Sequence, residues 1–461
     1  MLISFKVANF LSFNEEVEFS MVAGQQRQPS SHVINFGEGR SRVGVLKSAI
    51  IYGANSSGKS NLLKAIDFTK KIIVGGIDTV PSKGKYFRYD AENKDKPSKF
   101  EFELSIQEKM YAYGFSLNLE NKKIKSEWLV ELTKTTDKLI FERTVNDDGT
   151  STFKDNLKLT GKEKTRFTIY QEDVKDNQLF LTELQNKNSY FPGLEIFKDT
   201  YFVFKELIRV IFPLDVFNTI RLVELLNSDW DYVLNILNMF NTHISEIKEI
   251  EQDLGADFMS KIPDKEVLSK VIQGDTGEVT LNGNDHLVYK KGDQIKVLSP
   301  NISKLNKDNK KATFGFDEIS DGDRRLLDFI PVLQHLLKNE GYVVFIDEID
   351  RSFHPELTRK FMELYYLISE NVKSQLIVTT HEASLLDLDL VRRDEIWFTE
   401  KNAKEESQLY SLEEFKPRHD KELRKAYLLG RYGAIPFISN VKLLGWLKDN
   451  SETLKHTTPS L

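Results

Sequence analysis

The chain of 461 residues is long enough for two or three domains around a sizeable core, and its 40% hydrophobic and 29% charged content is that of a globular protein rather than a disordered one. The absence of cysteine excludes disulfides, a thiol nucleophile, Cys-ligated zinc and iron–sulfur clusters. A net charge of −6 gives no general attraction to nucleic acid, so any such contact needs a local patch.

No apolar run approaches the roughly 18–20 residues of a membrane span, and the start, MLISFKVANF, has no basic region leading into a long apolar one. The expectation is a cytoplasmic protein without signal peptide or membrane contact. Residues 2–19, LISFKVANFLSFNEEVEF, alternate apolar and polar positions around a turn at Asn14, the pattern of a two-stranded hairpin. Residues 25–42 are polar with Gly, Ser and Pro, and read as a loop.

Residues 48–67, SAIIYGANSSGKSNLLKAID, carry the first chemical signal. An apolar β-branched run is followed by Gly53, four residues, and Gly58-Lys59-Ser60, then by Leu62, Leu63 and Ile66 at helical spacing. A lone Gly/Ser loop could match by chance, but strand, glycine-bounded loop and helix together make the pattern a P-loop. Gly53 and Gly58 let the loop curl so that successive backbone N–H groups face one anion, and the helix directs its positive dipole end there. Lys59 would reach the β- and γ-phosphates, and the Ser60 hydroxyl would ligate Mg²⁺. Asn55, Ser56 and Asn61 are the further candidates for nucleotide contact.

Beyond that helix, residues 75–99 read as irregular. Alternating runs at 100–105, 111–117, 125–132 and 139–145, with a turn at Asp148-Gly149 into Ser151-Thr152-Phe153, predict an antiparallel β-rich stretch. From about residue 177 to 268 the period changes: Leu222, Leu225, Leu226, Trp230, Val233, Leu234, Leu237, Phe240, Ile244 and Ile247 fall at helical spacing. They predict a core-facing helical subdomain, with a binding groove as the competing reading. No heptad pattern persists as a long coiled coil would require. A hairpin is expected at 279–297 with Asn282-Gly283 as its turn, and residues 302–311, ISKLNKDNKK, read as a basic loop, either solvated or in contact with nucleic acid.

The second chemical cluster lies between residues 314 and 387. Ser320 and Gly322 head an amphipathic helix carrying Leu326, Leu327, Ile330, Leu333, Leu336 and Leu337. They could form an anion site or serve as an ordinary N-cap. Residues 342–348, YVVFIDE, predict a buried strand with two acids at its carboxyl end, where ligands bind in open α/β sheets. Asp347 would hold Mg²⁺ together with Ser60 and water, and Glu348 would act as general base on the attacking water. Another buried strand, 375–380, ends in His381, a candidate sensor of the γ-phosphate.

The order of these motifs resembles the ABC-type ATPase superfamily. The short form resembles the AAA-15/AAA-21 ATPases of the overcoming-lysogenisation-defect and abortive-infection type, kin to SMC and double-strand-break-repair ATPases. ISFKVANFLSF near the start and YLLGRYGAIPFI at 427–438 look like this group too. The sequence departs from the superfamily's pattern in its signature, ISDGD rather than a two-glycine LSGGE, and in His354 after the acidic strand, where transporters usually show Asp. A glutamine loop is not placed; Gln107, Gln171 and Gln185 are all candidates.

The resemblance implies an α/β P-loop NTPase: an ABC-type ATPase head with an antiparallel β subdomain and a helical insert. The expected divisions are an N-terminal ATPase lobe at 1–165, a mostly helical insert with a β-hairpin at 166–312, a C-terminal ATPase lobe at 313–400 and a tail at 401–461. It also implies ATP and Mg²⁺ as cofactors, with Glu348 and His381 catalytic. Heads would pair as a homodimer or higher even homo-oligomer, ATP on Lys59 of one subunit being closed over by Ser320 and Gly322 of another. The activity implied is ATP hydrolysis driving a switch in bacterial anti-phage defence, with a separate nuclease or toxin as effector and DNA or a phage component as possible trigger. The alternative is a DNA-maintenance ATPase that binds DNA directly; a transporter ATPase is a third reading, disfavoured by the inserts. In the tail, residues 421–429 predict a charged helix ending at Gly430. With Arg424, Tyr427, Arg431 and Tyr432 it would either pack on the ATPase sheet or dock a partner.

Overall fold

The computed structural model describes residues 1–24, 30–36, 43–146, 148–187, 193–213, 230–253, 277–281, 284–291, 294–315, 318–338, 340–415 and 423–435. The predicted N-terminal hairpin is present: β1 (Leu2–Ala8) and β2 (Val17–Ser20) pair antiparallel, Phe5 opposite Phe19 and Val7 opposite Val17. β3 (Val33–Phe36) and β4 (Val43–Leu46) form a two-stranded ribbon, so a short strand stands where the sequence predicts only loop. β5 (Ser48–Gly53) is buried throughout and leads into α1 (Lys59–Gly75). Between α1 and the next strand lie two 3₁₀ turns, Ile77–Thr79 and Ala91–Lys94.

The antiparallel stretch follows as predicted: β6 (Ser98–Ile106), β7 (Lys109–Asn118), β8 (Lys123–Leu132), β9 (Lys138–Val145) and β10 (Ser151–Asp155). With β1 and β2 they make a seven-stranded sheet in the order β10-β9-β8-β7-β6-β1-β2. β6 shows why: Phe100, Phe102, Leu104 and Ile106 face inward at alternate positions, the period of a half-buried strand. Phe68 of α1 packs on Phe10 and Phe100, with ring centroids 4.9 and 5.7 Å apart, which ties this sheet to the P-loop helix.

Three helices come next: α2 (Gly161–Asp173), α3 (Phe180–Asn186) and α4 (Glu195–Phe202). A buried carboxylate fastens them to the sheet. Glu127 on β8 accepts from the Phe180 and Leu181 amides at 2.6 and 3.0 Å and from the Tyr113 hydroxyl at 2.9 Å. Arg143 on β9, 4.0 Å away, donates to the Gln178 and Lys175 carbonyls. Burial pushes the Glu127 carboxyl up, while Arg143 and the two amides oppose that shift. Removing one partner of such a buried pair costs about 3–5 kcal/mol, because the other charge is left without compensation.

β11 (Ile208–Ile211) and α5 (Trp230–Met239) lead to a region that corrects the helical reading. Ile244 and Ile247 lie not on a helix but on β12 (Ile244–Asp253). A register shift between Ile244 and Glu246 puts an extra residue between them, so two residues three apart are both buried and imitate helical spacing. β13 (Gly277–Leu281), β14 (Asn284–Lys291), β15 (Gln294–Leu305) and β16 (Lys311–Gly315) complete a five-stranded antiparallel sheet. The predicted 279–297 hairpin is there as β13, β14 and the start of β15, but Asn282 and Gly283 lie outside the described residues, as do Leu222, Leu225 and Leu226. The stretch 302–311 is not a basic loop: Ile302 to Leu305 pair with Lys311 to Phe314, and only Asn306 to Lys310 make the turn. Among the described residues, the part of the insert that follows α5 is therefore antiparallel sheet.

The remaining elements, α6 (Asp321–Leu337), β17 (Val343–Ile346), α7 (Pro355–Ile368), β18 (Gln375–Thr379), β19 (Ile396–Lys401) and β20 (Ser407–Ser411), build the second principal sheet. Its order is β11-β17-β18-β5-β19-β20, parallel except at β20. Continuous apolar strands such as 343–346 suit a parallel sheet buried on both faces. The side chain of Gln375 joins the sheets: its Oε1 accepts from the Leu2 amide at 2.7 Å and its Nε2 donates to the Leu2 and Leu46 carbonyls.

The tail helix is present as α8 (Leu423–Leu428). Tyr427 and Tyr432 are buried, each stacked on Phe398 of β19, and Tyr427 also touches Tyr52 at the end of β5. Arg424 and Arg431 are exposed. Tyr432 thus belongs to the packing of the sheet and is not on offer to a partner. Among the described residues, no helix is long and apolar enough to cross a membrane.

Candidate nucleotide site

The P-loop runs from the carboxyl end of β5 to the first turn of α1. Gly53 has no room for a side chain, since a Cβ would run into the Ser57 and Thr399 hydroxyls. Gly58, the N-cap of α1, sits at φ 121°, a conformation side chains rarely adopt. Hydroxyls brace the loop from outside. Ser57 Oγ is 2.6 Å from Thr399 Oγ1; Ser407 Oγ donates to the Ser57 carbonyl at 2.6 Å; Asn61 donates to Ser12 Oγ at 2.8 Å. The N-terminal ANFLSF stretch and β20 therefore hold the loop's shape, a role that is not visible in sequence because Ser12 lies 49 residues from Asn61, and Thr399 and Ser407 lie 342 and 350 residues from Ser57.

The loop opens on a cavity of about 490 Å³ lined by residues 55–61, Lys64, Glu348, His381 and Lys401. Asn55, Ser56, Gly58, Lys59, Ser60 and Asn61 thus share one cavity with both predicted catalytic residues. The first amides of α1 lack intrahelical partners and give its mouth a positive end. Lys59 is 5% exposed and donates to the Gly53 and Ala54 carbonyls at 2.7 and 3.1 Å. Burial pushes its ammonium down to about 8, against the opposing charges of Asp347, Glu348 and Asp350. Lys64 and Lys401 were not singled out from sequence, because isolated surface lysines carry no local signal. A larger cavity of about 870 Å³ lies elsewhere, between Glu15, Glu16, Glu18, Glu400, Glu406 and Glu414, and its carboxylates would repel phosphate.

The acidic residues arrive on the neighbouring strands. Asp347 follows β17 and is 2% exposed; its amide donates to the Ile211 carbonyl and its carboxylate accepts from the Thr379 hydroxyl. Glu348 is half-buried, sits at φ 48° and lies 4.0 Å from Arg351. His381 follows β18, which lies parallel to β17 and between it and β5. Burial first, and Lys59 second, hold its imidazole below the ordinary histidine value.

The donors fit Mg²⁺. A buried carboxylate, a serine hydroxyl at the head of α1, and room for phosphate oxygens and water form the sparse oxygen set that Mg²⁺ takes. Among the described residues there is no group of three or more His, Asp or Glu that would make an all-protein cage.

Ser320 and Gly322 are not in the lining. Ser320 N-caps α6, its hydroxyl accepting from the Asp323 amide at 3.1 Å, and Gly322 sits close to the Ser352 carbonyl in the turn after Glu348. None of the three glutamine-loop candidates lines the cavity either; Gln107 binds Asp199 and Gln171 binds Asp155.

Comparison with known proteins follows the same outline. The family described as "AAA domain, putative AbiEii toxin, Type IV TA system" matches residues 48–167 and 220–387, together more than half of the chain. No curated protein matches. Solved structures similar to the chain include an SMC head bound to the C-terminal winged-helix domain of ScpA, at 16% identity and TM-score 0.37, covering 89% of this chain and 97% of that one. Another is the SMC head domain from Thermotoga maritima, at 11% and 0.32, covering 89% and 98%. A third is an Smc head domain with an extended coiled coil, bound to the C-terminal domain of ScpA derived from Pyrococcus furiosus, at 13% and 0.34, covering 90% and 99%. The chain belongs to the AAA domain family whose description it matches, and its fold is that of an α/β P-loop NTPase.

Proposed function

We propose that the protein binds and hydrolyses ATP with Mg²⁺, and that the hydrolytic cycle switches it between paired and released states. The observation that carries this reading is one cavity shared by the P-loop, Glu348 and His381, with Asp347 buried beside it. Bound Mg²⁺ would supply charge neutralisation at the phosphates. Ser60 and Asp347 would hold it, Lys59 would exchange its loop carbonyls for phosphate oxygens, Glu348 would take the proton of the attacking water, and His381 would hydrogen-bond the γ-phosphate. The position of Ser320 and Gly322 outside the cavity supports their use by a second copy, whose nucleotide they would cap. The test is release of phosphate from ATP by the purified protein, set beside Lys59→Ala and Glu348→Gln; no Mg²⁺-dependent hydrolysis by the wild type would end this reading.

At the level of the cell, we infer an ATP-driven sensor or regulator in a toxin–antitoxin or abortive-infection type of anti-phage defence, acting with a separate effector protein. The family's description supports the toxin–antitoxin setting, since it names a putative AbiEii toxin of a Type IV TA system. The test is phage plaquing on cells carrying the gene with its neighbours, against the same locus bearing Lys59→Ala. Equal plaquing would exclude an ATP-dependent defence role.

A further inference from the structure

Thr379 ends β18 and is fully buried. It touches three consecutive residues of the acidic turn. Its hydroxyl donates to Asp347 Oδ1 at 2.5 Å, the same oxygen accepts from the Glu348 amide at 2.8 Å, and its carbonyl accepts from the Ile349 amide at 3.0 Å. A hydroxyl has one proton and two lone pairs, so these bonds leave its rotor a single useful setting, with the proton on the carboxylate.

Strand formation does not ask for a hydroxyl here. Leu376, Ile377 and Val378 are aliphatic and fully buried, and a valine would continue them with the same shape. The hydroxyl does answer two requirements of the turn. Asp347 is a buried carboxylate that needs a hydrogen bond and a fixed orientation. Glu348 has φ 48°, a backbone state costly for a non-glycine residue and sustained only where its surroundings enforce it. A second latch stands beside the first. Thr380 Oγ1 donates to Asp350 Oδ1 at 2.8 Å, and the His381 amide donates to Asp350 Oδ2 at 3.4 Å, so the two loops meet across both strand ends.

We propose that Thr379 is a positioning residue whose hydroxyl aims the Asp347 carboxylate at the metal and holds Glu348 in the backbone state that presents it to the phosphate cavity. This rests on the roles of Asp347 and Glu348 proposed above. Outer partners that orient metal ligands typically contribute 10–100-fold in metal affinity or activity.

The experiment compares Thr379→Val, Thr379→Ser and the wild type in two measurements: fluorescent ATP-analogue affinity in EDTA and across a Mg²⁺ titration, and steady-state hydrolysis. In Thr379→Val, affinity in EDTA stays within about twofold, the Mg²⁺ needed for half-maximal effect rises about tenfold, and kcat falls about 10–100-fold with KM for ATP little changed. Thr379→Ser restores both. A valine variant with wild-type Mg²⁺ demand and kcat, or a folded serine variant that fails to rescue, overturns the proposal. Should the valine variant not fold, Thr379→Cys carries the test with the same expected Mg²⁺ shift, its thiol filling similar space with a weaker donor. Lys59→Ala, measured alongside, separates the failures: unchanged ATP affinity there would remove the reading of the whole site, whereas a normal Mg²⁺ titration in Thr379→Val removes the clamp alone.

Discussion

The Lys59 ammonium donates to the carbonyl of Gly53, the residue that opens its own loop, at 2.7 Å. The cation proposed to bind phosphate is thus folded back and buried. A nucleotide must draw it away from the loop carbonyls, and phosphate favours its charged form.

A pH dependence follows. Burial lowers Lys59 from its ordinary 10.5 to about 8. Above that pH the free side chain is neutral and must take up a proton as phosphate binds. ATP affinity is therefore flat below about pH 7 with respect to this group and falls by up to about tenfold per pH unit above about pH 8. The same shift has the opposite sign for the ligand-free fold, since the unfolded chain binds more protons in that window and the group's contribution to stability rises with pH. Calorimetric titrations with ATP and thermal melts without it, from pH 7 to about 9.5, check both signs.

Glu348→Gln keeps the side chain's shape and loses its basicity. ATP binding persists, and hydrolysis slows by about 10²-fold or more, the scale of losing a general base. The paired state accumulates as a larger species in the presence of ATP. Single-turnover phosphate release and light scattering measure the two effects; hydrolysis at the wild-type rate would make Glu348 a structural residue.

In the proposed pairing, Ser320 caps a neighbour's nucleotide. Ser320→Asp keeps the N-cap on the Asp323 amide while setting a negative charge toward the partner's phosphate. Mixed with Lys59→Ala subunits, it regains part of the wild-type ATPase rate, since one of the two composite sites then has both halves intact. Subunit mixing is followed with two affinity tags, and mixed dimers without any regained activity would argue for a site completed within one chain.

The tail separates into two kinds of residue. Tyr432→Ala empties a buried position against Phe398 and costs about 3–5 kcal/mol, the range for large aromatic truncations, seen as a fall in Tm. Arg424→Ala with Arg431→Ala leaves Tm and ATPase rate near wild type, because both side chains are exposed. If the tail docks a partner, the arginine pair lowers co-purification or oligomer mass; full assembly in that variant assigns the segment to packing alone.

Sequence by itself determined whatever depends on neighbours along the chain. Gly53, Gly58, Lys59 and Ser60 announce a phosphate loop because backbone curl, helix start and cation are all set within a dozen residues. The N-terminal hairpin and the strands β6 to β10 were legible for a similar reason, since each set alternates with period two along one stretch of chain, but the pairing of β1 with β6 that joins them into one sheet was not. The same locality misled at Ile244 and Ile247, where a bulge in β12 gives strand residues a helical spacing. Tertiary structure alone decided that β18 lies between β17 and β5. Sheet order is set by packing and crossover connections between distant segments, and no local pattern encodes it. That order places the Thr379 hydroxyl against Asp347 and Glu348, brings His381 to the cavity of Lys59, and sets Ser12, Thr399 and Ser407 around the loop they brace.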